Sequence, residues 1–181
     1  MSSRLPPAPW IAALRLRLQS PDAAPLRVLM VCMGNICRSP TAQGVLQAQA
    51  ALAGLAARVV VDSAGTEGYH VGEAPDARAQ AHALRRGIDL AAQRARQLQP
   101  ADFAHFDLVL VMDATNERAA RALCPPALAP RLQRLTDFCQ RQRAHEVPDP
   151  YYGGAQGFEA VLDLAEDACQ GLLLTLFAPA P

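Results

Sequence analysis

The stretch that decides the fold is Leu26-Arg27-Val28-Leu29-Met30-Val31-Cys32-Met33-Gly34-Asn35-Ile36-Cys37-Arg38-Ser39-Pro40. Its first six residues form an apolar run with the length of a strand that can be buried on both faces. Gly34 and Asn35 then mark a sharp turn. From Pro40 the apolar residues recur at helical spacing, through Ala42, Val45, Leu46 and Ala50 to Ala53, and Gly54 supplies a stop. A strand feeding a helix through a short polar loop lets backbone N–H groups converge on one anion, with the helix N-terminus adding favourable potential.

Each residue of that loop has a chemical use. Gly34 permits close backbone approach, and Asn35 tolerates the left-handed region. Arg38 offers a planar fork of donors to two phosphoryl oxygens. Cys32, facing Arg38 and the loop amides, is expected as a thiolate nucleophile, and Ser39 can donate a hydrogen bond to its sulfur. The plain alternative is that Cys32 ends a strand as a small buried hydrophobe. Cys37 has two open readings: a thiol packed at the helix start, or a resolving thiol that meets Cys32 across the loop.

Outward from the loop, Val59-Val60-Val61-Asp62 and Leu108-Val109-Leu110-Val111-Met112 read as further strands, and Leu132–Leu135 as a weaker one. Helices are expected over Pro75–Arg86 (closed by Gly87), after Pro100, over Thr115–Leu123 (stopped by Cys124-Pro125-Pro126) and over Ala155–Phe177. In the last of these Val161, Leu164, Ala168, Leu172 and Phe177 can share one face. Alternating strands and helices predict a small three-layer α/β domain, with a central four-stranded, mostly parallel twisted sheet and helices on both faces. Ligands in such folds gather beyond the carboxyl ends of the strands. Cys32 stands there, with Ser63 after the second strand and Asp113 after the third.

Composition narrows the chemistry. The 181 residues fit one domain, 26–181, preceded by a Pro/Ala-rich extension, 1–25, in which a short helix over Trp10–Leu18 is possible. The 17 basic and 17 acidic residues balance, which gives no global field for nucleic acid or an anionic membrane. All the basic residues are Arg; without Lys there is neither a Schiff-base lysine nor a Walker A lysine. Five cysteines, at 32, 37, 124, 139 and 169, form no disulfide framework or zinc spacing and point to a reducing compartment. Neither a membrane-length apolar run nor a clear signal-peptide core is found, since Arg15 and Arg17 interrupt the apolar stretch after Trp10. A cytoplasmic location is expected.

If the Cys32 thiolate attacks a phosphate ester, the leaving oxygen also needs a proton donor. Val147-Pro148-Asp149-Pro150-Tyr151-Tyr152-Gly153-Gly154 offers one carboxylate held by two stiffening prolines. A rigid turn with a solvated Asp149 is the simpler reading. Tyr151 and Tyr152 are either ordinary surface aromatics or an apolar wall for a substrate ring.

With these segments in view, the chain resembles the low-molecular-weight protein tyrosine phosphatases over roughly residues 26–177. The resemblance lies in VCMGNICRSP at 31–40, VDSAGT at 61–66, GEAPDARA at 72–79, RARQL at 94–98, DLVLVMD at 107–113 and DPYYGG at 149–154. It implies Cys32 as nucleophile, Arg38 as phosphoryl-binding residue and Asp149 as general acid and then base. Met33, Gly34, Asn35, Ile36, Cys37 and Ser39 would form the phosphate loop, and Tyr69, Tyr151 and Tyr152 the rim of a cleft that favours aryl phosphates. Ser63, Gln93 and Asp113 would support it. Many members have His where Gln93 aligns, supporting the loop asparagine and serine; Gln can hydrogen-bond there but cannot become charged. Cys37 would match a second loop cysteine that protects the nucleophile through a reversible disulfide.

The implied partner is a phosphotyrosine protein or small aryl phosphate, with inorganic phosphate as product and inhibitor. No metal, organic cofactor, nucleic acid or membrane is implied, and a monomer with at most weak self-association is expected. Two rivals remain. A thiol-dependent arsenate reductase needs relay cysteines near the third strand, where Met112 stands. A catalytically quiet phosphotyrosine-binding module would lack the nucleophile or the acid, yet Cys32, Arg38 and Asp149 are all present.

Overall fold

The computed structural model describes residues 9–178. Four strands, β1 (Leu26–Cys32), β2 (Val59–Gly65), β3 (Leu108–Val111) and β4 (Leu132–Arg134), form one sheet in the order β2-β1-β3-β4. Every pairing is parallel. Residues on β1 alternate between the two faces: Leu26, Val28, Met30 and Cys32 enter one buried cluster, Leu29 and Val31 the other. Helices on both faces therefore require apolar residues at each position from Val28 to Cys32, which explains the unbroken run after Arg27.

One face is covered by α2 (Arg38–Leu52) and α6 (Ala155–Phe177), with α1 (Pro9–Leu18) and α3 (Ala77–Arg85) against α6. The other carries α4 (Asp102–His105) and α5 (Ala114–Leu123), with Phe103, Phe106 and Ala120 buried against Val109 and Val111. The three-layer α/β expectation holds. The buried side of α6 is wider than one stripe; it includes Phe158, Leu162, Ala165, Cys169 and Leu176, while Phe177 is only partly buried.

Several boundaries differ from the sequence reading. β2 runs on to Gly65, so Ser63 lies within the strand rather than after it. α2 begins at Arg38, two residues before Pro40. The segment after α5 forms a 3₁₀ turn over Pro126–Arg131, which a Pro-rich stop did not suggest.

Ahead of β1, Leu18 is 3% exposed and Trp10, Ile11 and Leu14 pack against the main cluster. Arg15 donates to Ala178 O at 2.9 Å, and Arg58 donates to Leu18 O at 2.7 Å. Residues 1–8 of the extension lie outside the described residues. No helix among the described residues is long and apolar enough to cross a membrane.

Candidate active site

Cys32 closes β1, and residues 33–37 turn without regular structure into α2. The turn is pinned to the neighbouring strand: Thr66 and Glu67 donate their backbone N–H groups to Cys32 O and Met33 O, each at 2.9 Å. Gly65 makes this approach possible. A Cβ there would lie 2.6 Å from Met33 O and 2.9 Å from Glu67 O, both rigid backbone atoms.

Asn35 takes φ 56°, the one positive φ outside glycine among the described residues. Its amide is fully used behind the loop. Oδ1 accepts the Arg96 N–H at 3.0 Å, and Nδ2 donates to Ser39 Oγ at 2.8 Å and to Ser63 Oγ at 2.9 Å. Ser63 passes its own hydrogen to Gln43 Oε1 at 2.6 Å. Ser39 Oγ, already accepting from Asn35, lies 3.1 Å from Cys32 Sγ and 3.4 Å from Ala64 O. The nearer acceptor for the Ser39 hydrogen is the sulfur, so the chain of donors points at Cys32. Asn35 and Ser39 are thus buried braces, while Met33, Gly34, Ile36 and Cys37 line the cleft.

Arg38, on the first turn of α2, is 2% exposed. Its NH1 donates to Asp113 Oδ2 at 2.5 Å and to Val147 O at 3.2 Å; its NH2 donates to Asp149 Oδ2 at 2.8 Å. Burial opposes the guanidinium charge, but Cys32, Asp113 and Asp149 outweigh it and hold Arg38 above the usual arginine range. Of the five guanidinium donors, three are engaged, which leaves Nε–H and one NH2 hydrogen for an incoming oxyanion. Asp113 also caps α5 by accepting the Asn116 N–H at 2.7 Å. It is therefore fixed at the end of the sheet as an anchor for Arg38.

Asp149 sits on the irregular segment after Val147, whose N–H donates to Met112 O at 2.8 Å. Its Oδ1 accepts from the Tyr151 N–H at 3.1 Å. The side chain is 44% exposed, open to whatever enters the cleft. Cys32, Arg38 and Asp149 meet there with Tyr69, Tyr151 and Tyr152 around a space of about 300 Å³. The Tyr151 and Tyr152 rings meet edge to face at 4.9 Å, and Tyr152 is almost wholly exposed. His70, paired with Glu73 at 2.8 Å, also lines the cleft and had no marker in the sequence.

Gln93 stands apart from its expected surroundings, whereas Cys37 has the packed surroundings of one of its two readings. Gln93 reaches Pro40 O at 3.1 Å, with its Oε1 buried and unpartnered; the place beside Ser63 belongs to Gln43. Cys37 packs with Ile36, Ala79, Ala95 and Phe158. Burial, then the charge of Asp76 and that of Cys32, pushes its thiol up to about 12.

The family profile described as "Low molecular weight phosphotyrosine protein phosphatase" matches residues 27–179. The chain belongs to this family. It is accordingly a phosphatase, a hydrolase acting on phosphotyrosine. A low molecular weight protein-tyrosine-phosphatase of Streptomyces coelicolor is 46% identical over 150 residues, covering 81% of this chain and 91% of that protein. A protein tyrosine phosphatase of Entamoeba histolytica, solved with Hepes in its active site, superposes with a TM-score of 0.81 at 38% identity, over 83% of this chain and 96% of its own. Wzb of Vibrio vulnificus, solved in complex with benzylphosphonate, gives 0.71 at 27% identity, over 81% and 96%. The Cys32–Ser39 loop, the segment bearing Asp149 and the tyrosines of the rim all fall within the matched span.

Proposed function

We propose that this phosphatase acts on phosphotyrosine in proteins, or on a small aryl phosphate, by two in-line displacements at Cys32. The convergence of Cys32, Arg38 and Asp149 on one aromatic-edged cleft supports this reading above all. Cys32 Sγ attacks phosphorus; the S–P bond forms as the P–O bond breaks, and Asp149 gives its proton to the leaving phenoxide. Water then attacks the phosphocysteine and passes a proton to Asp149. The S–P bond breaks, returning the thiolate and releasing inorganic phosphate. Positioning and electrostatic stabilisation supply most of the rate, because the equatorial oxygens meet the loop N–H groups and the free donors of Arg38.

Before substrate arrives, Asp149 shares Arg38; the phosphoryl group competes for those donors and frees the carboxyl to face the leaving oxygen. Tyr69, Tyr151 and Tyr152 suit an aromatic leaving group, in keeping with the phenyl ring of the benzylphosphonate that the Vibrio vulnificus relative holds. Arsenate reduction finds less support: Met112 follows β3 fully buried, and Cys124 lies beyond the far end of α5. We assign the catalytic domain to residues 26–181, with 1–25 as an extension, and a cytoplasmic, monomeric enzyme.

The test is turnover of para-nitrophenyl phosphate with acid-quench mapping of phosphate on cysteine. Wild type should turn over and carry phosphate on Cys32, whereas Cys32→Ser should retain phosphate binding and lose turnover. Activity in C32S above about 1% of wild type, where an alcohol has replaced the activated thiol nucleophile, would contradict the mechanism.

A further inference from the structure

Arg78 lies outside the cleft and touches neither Cys32 nor Arg38, yet it holds both sides of the site. It is the second residue of α3, and Asp76 fixes it from below through Nε at 3.0 Å and NH2 at 2.8 Å. Asp76 is itself immobilised. Its Oδ1 caps α3 by accepting the Arg78 N–H at 2.8 Å, and its own N–H donates to Ile36 O in the phosphate loop at 2.8 Å. Above, Arg78 NH1 donates to Tyr151 O at 3.1 Å. The guanidinium carbon lies 5.5 Å from the centre of the Tyr151 ring and 5.0 Å from that of Phe158 on α6, both within cation–π range.

Tyr151 is the residue whose N–H orients the Asp149 carboxylate. One end of its backbone therefore sets Asp149 and the other end, with the ring, is gripped by Arg78. We infer that Arg78 is a positioning residue that fixes the reach of Asp149 relative to the phosphate loop. The inference rests on the general-acid reading of Asp149. A planar fork is needed, because it must bond Asp76 with one edge, bond Tyr151 O with another and face the aromatic rings at once; an ammonium cannot do all three. The side chain is about half exposed, so solvent screening keeps the grip modest.

The experiment measures kcat/KM over a series of aryl phosphates with leaving phenols of rising pKa, for wild type, Arg78→Ala, Arg78→Lys, Asp149→Asn and the double variant R78A/D149N. General acid catalysis is worth roughly 10²–10⁴ and matters most for poor leaving groups. D149N should therefore lose activity steeply along the series. R78A should show a smaller loss of the same graded form, about 3- to 10-fold for the poorest leaving group and under about 2-fold for para-nitrophenol, as expected for partial misplacement of the acid. R78K should follow the same gradient, which keeps the test open if R78A folds poorly. The double variant should be no worse than D149N alone. An unchanged R78A, a loss equal across the series, or losses that multiply in the double variant would overturn the role of Arg78. If D149N is graded in those cases, the acid role of Asp149 stands; a flat D149N series removes both.

Discussion

Ser63 gives its hydroxyl hydrogen to Gln43 Oε1 across 2.6 Å, which leaves its oxygen to accept from the Asn35 amide that also donates to Ser39, the neighbour of the Cys32 sulfur. If Gln43 is replaced by Leu, Ser63 loses its acceptor and can turn its hydrogen elsewhere, loosening Asn35 and Ser39. One such bond is worth about 1 kcal/mol, roughly a five-fold effect. Q43L should lower kcat/KM for para-nitrophenyl phosphate by roughly that factor and slow iodoacetate alkylation of Cys32 in parallel. Equal alkylation rates would show that the chain of donors does not reach the sulfur.

Gly65 should tolerate no side chain. In Gly65→Ala the new methyl meets Met33 O and Glu67 O, and the Asn35 N–H lies 3.1 Å away, so the phosphate loop must lift off β2. Overpacking of this kind costs about 1–3 kcal/mol, several degrees in Tm for a domain of this size. The activity loss should exceed the stability loss: kcat/KM should fall at least about ten-fold at temperatures where the variant is fully folded by circular dichroism.

Cys37 carries a redox prediction with a pH signature. Its thiol, raised to about 12, is protonated at neutral pH, and the thiolate is the attacking form. If Cys37 resolves a sulfenic acid on Cys32, disulfide closure should quicken about ten-fold per pH unit from 7 to 9. Wild type treated with peroxide should then regain activity with dithiothreitol, and Cys37→Ser should regain much less. Bound phosphate should slow inactivation in both. Peptide mass mapping checks the bond itself; recovery without a Cys32–Cys37 disulfide would leave Cys37 as a packing residue.

Asp167 predicts an acid limit to stability. It is fully buried on α6 and accepts from Gln142 N at 2.7 Å, Arg141 N at 3.0 Å and Arg141 Nε at 3.2 Å. Burial alone would raise its carboxyl, but the backbone donors prevail and hold it below the usual range. A depressed folded value means the contribution is complete above the unfolded pKa of about 3.9 and disappears as pH falls through the folded one. Asp167→Asn should lower Tm by several degrees at pH 7, consistent with about 1.5–3 kcal/mol for bonds to a charged group. That difference should shrink in melts below about pH 3.5.

Much of this was legible in the residues themselves. Apolar runs marked β1 and β3, since burial on both faces leaves no polar position in β3 and only Arg27, near the start, in β1. The anion loop was legible because Cys32, Asn35 and Arg38 each have few other reasons to follow a buried strand closely. β2 read short because Ser63, Ala64 and Gly65 are poor strand formers, held in the ladder by β1 rather than by propensity. Gln43 was illegible for another reason: between Ala42 and Gly44 it looks like any helix residue, and its partner comes from a strand 20 positions away. Arg78 was likewise only part of a motif until Tyr151 and Phe158 were seen on either side of it.

The contact between Arg15 and Ala178 spans 163 positions, and it joins α1 to the residue that caps α6. During synthesis α1 lacks its α6 partner, and the α2 face beside α6 stays uncovered, until residues 155–178 emerge. β1 and β3 can pair before that, but the layer on the α2 face closes only once α6 is present. A nascent chain halted shortly before α6 would therefore hold an assembled phosphate loop over an uncovered core, the state in which a chaperone would meet it.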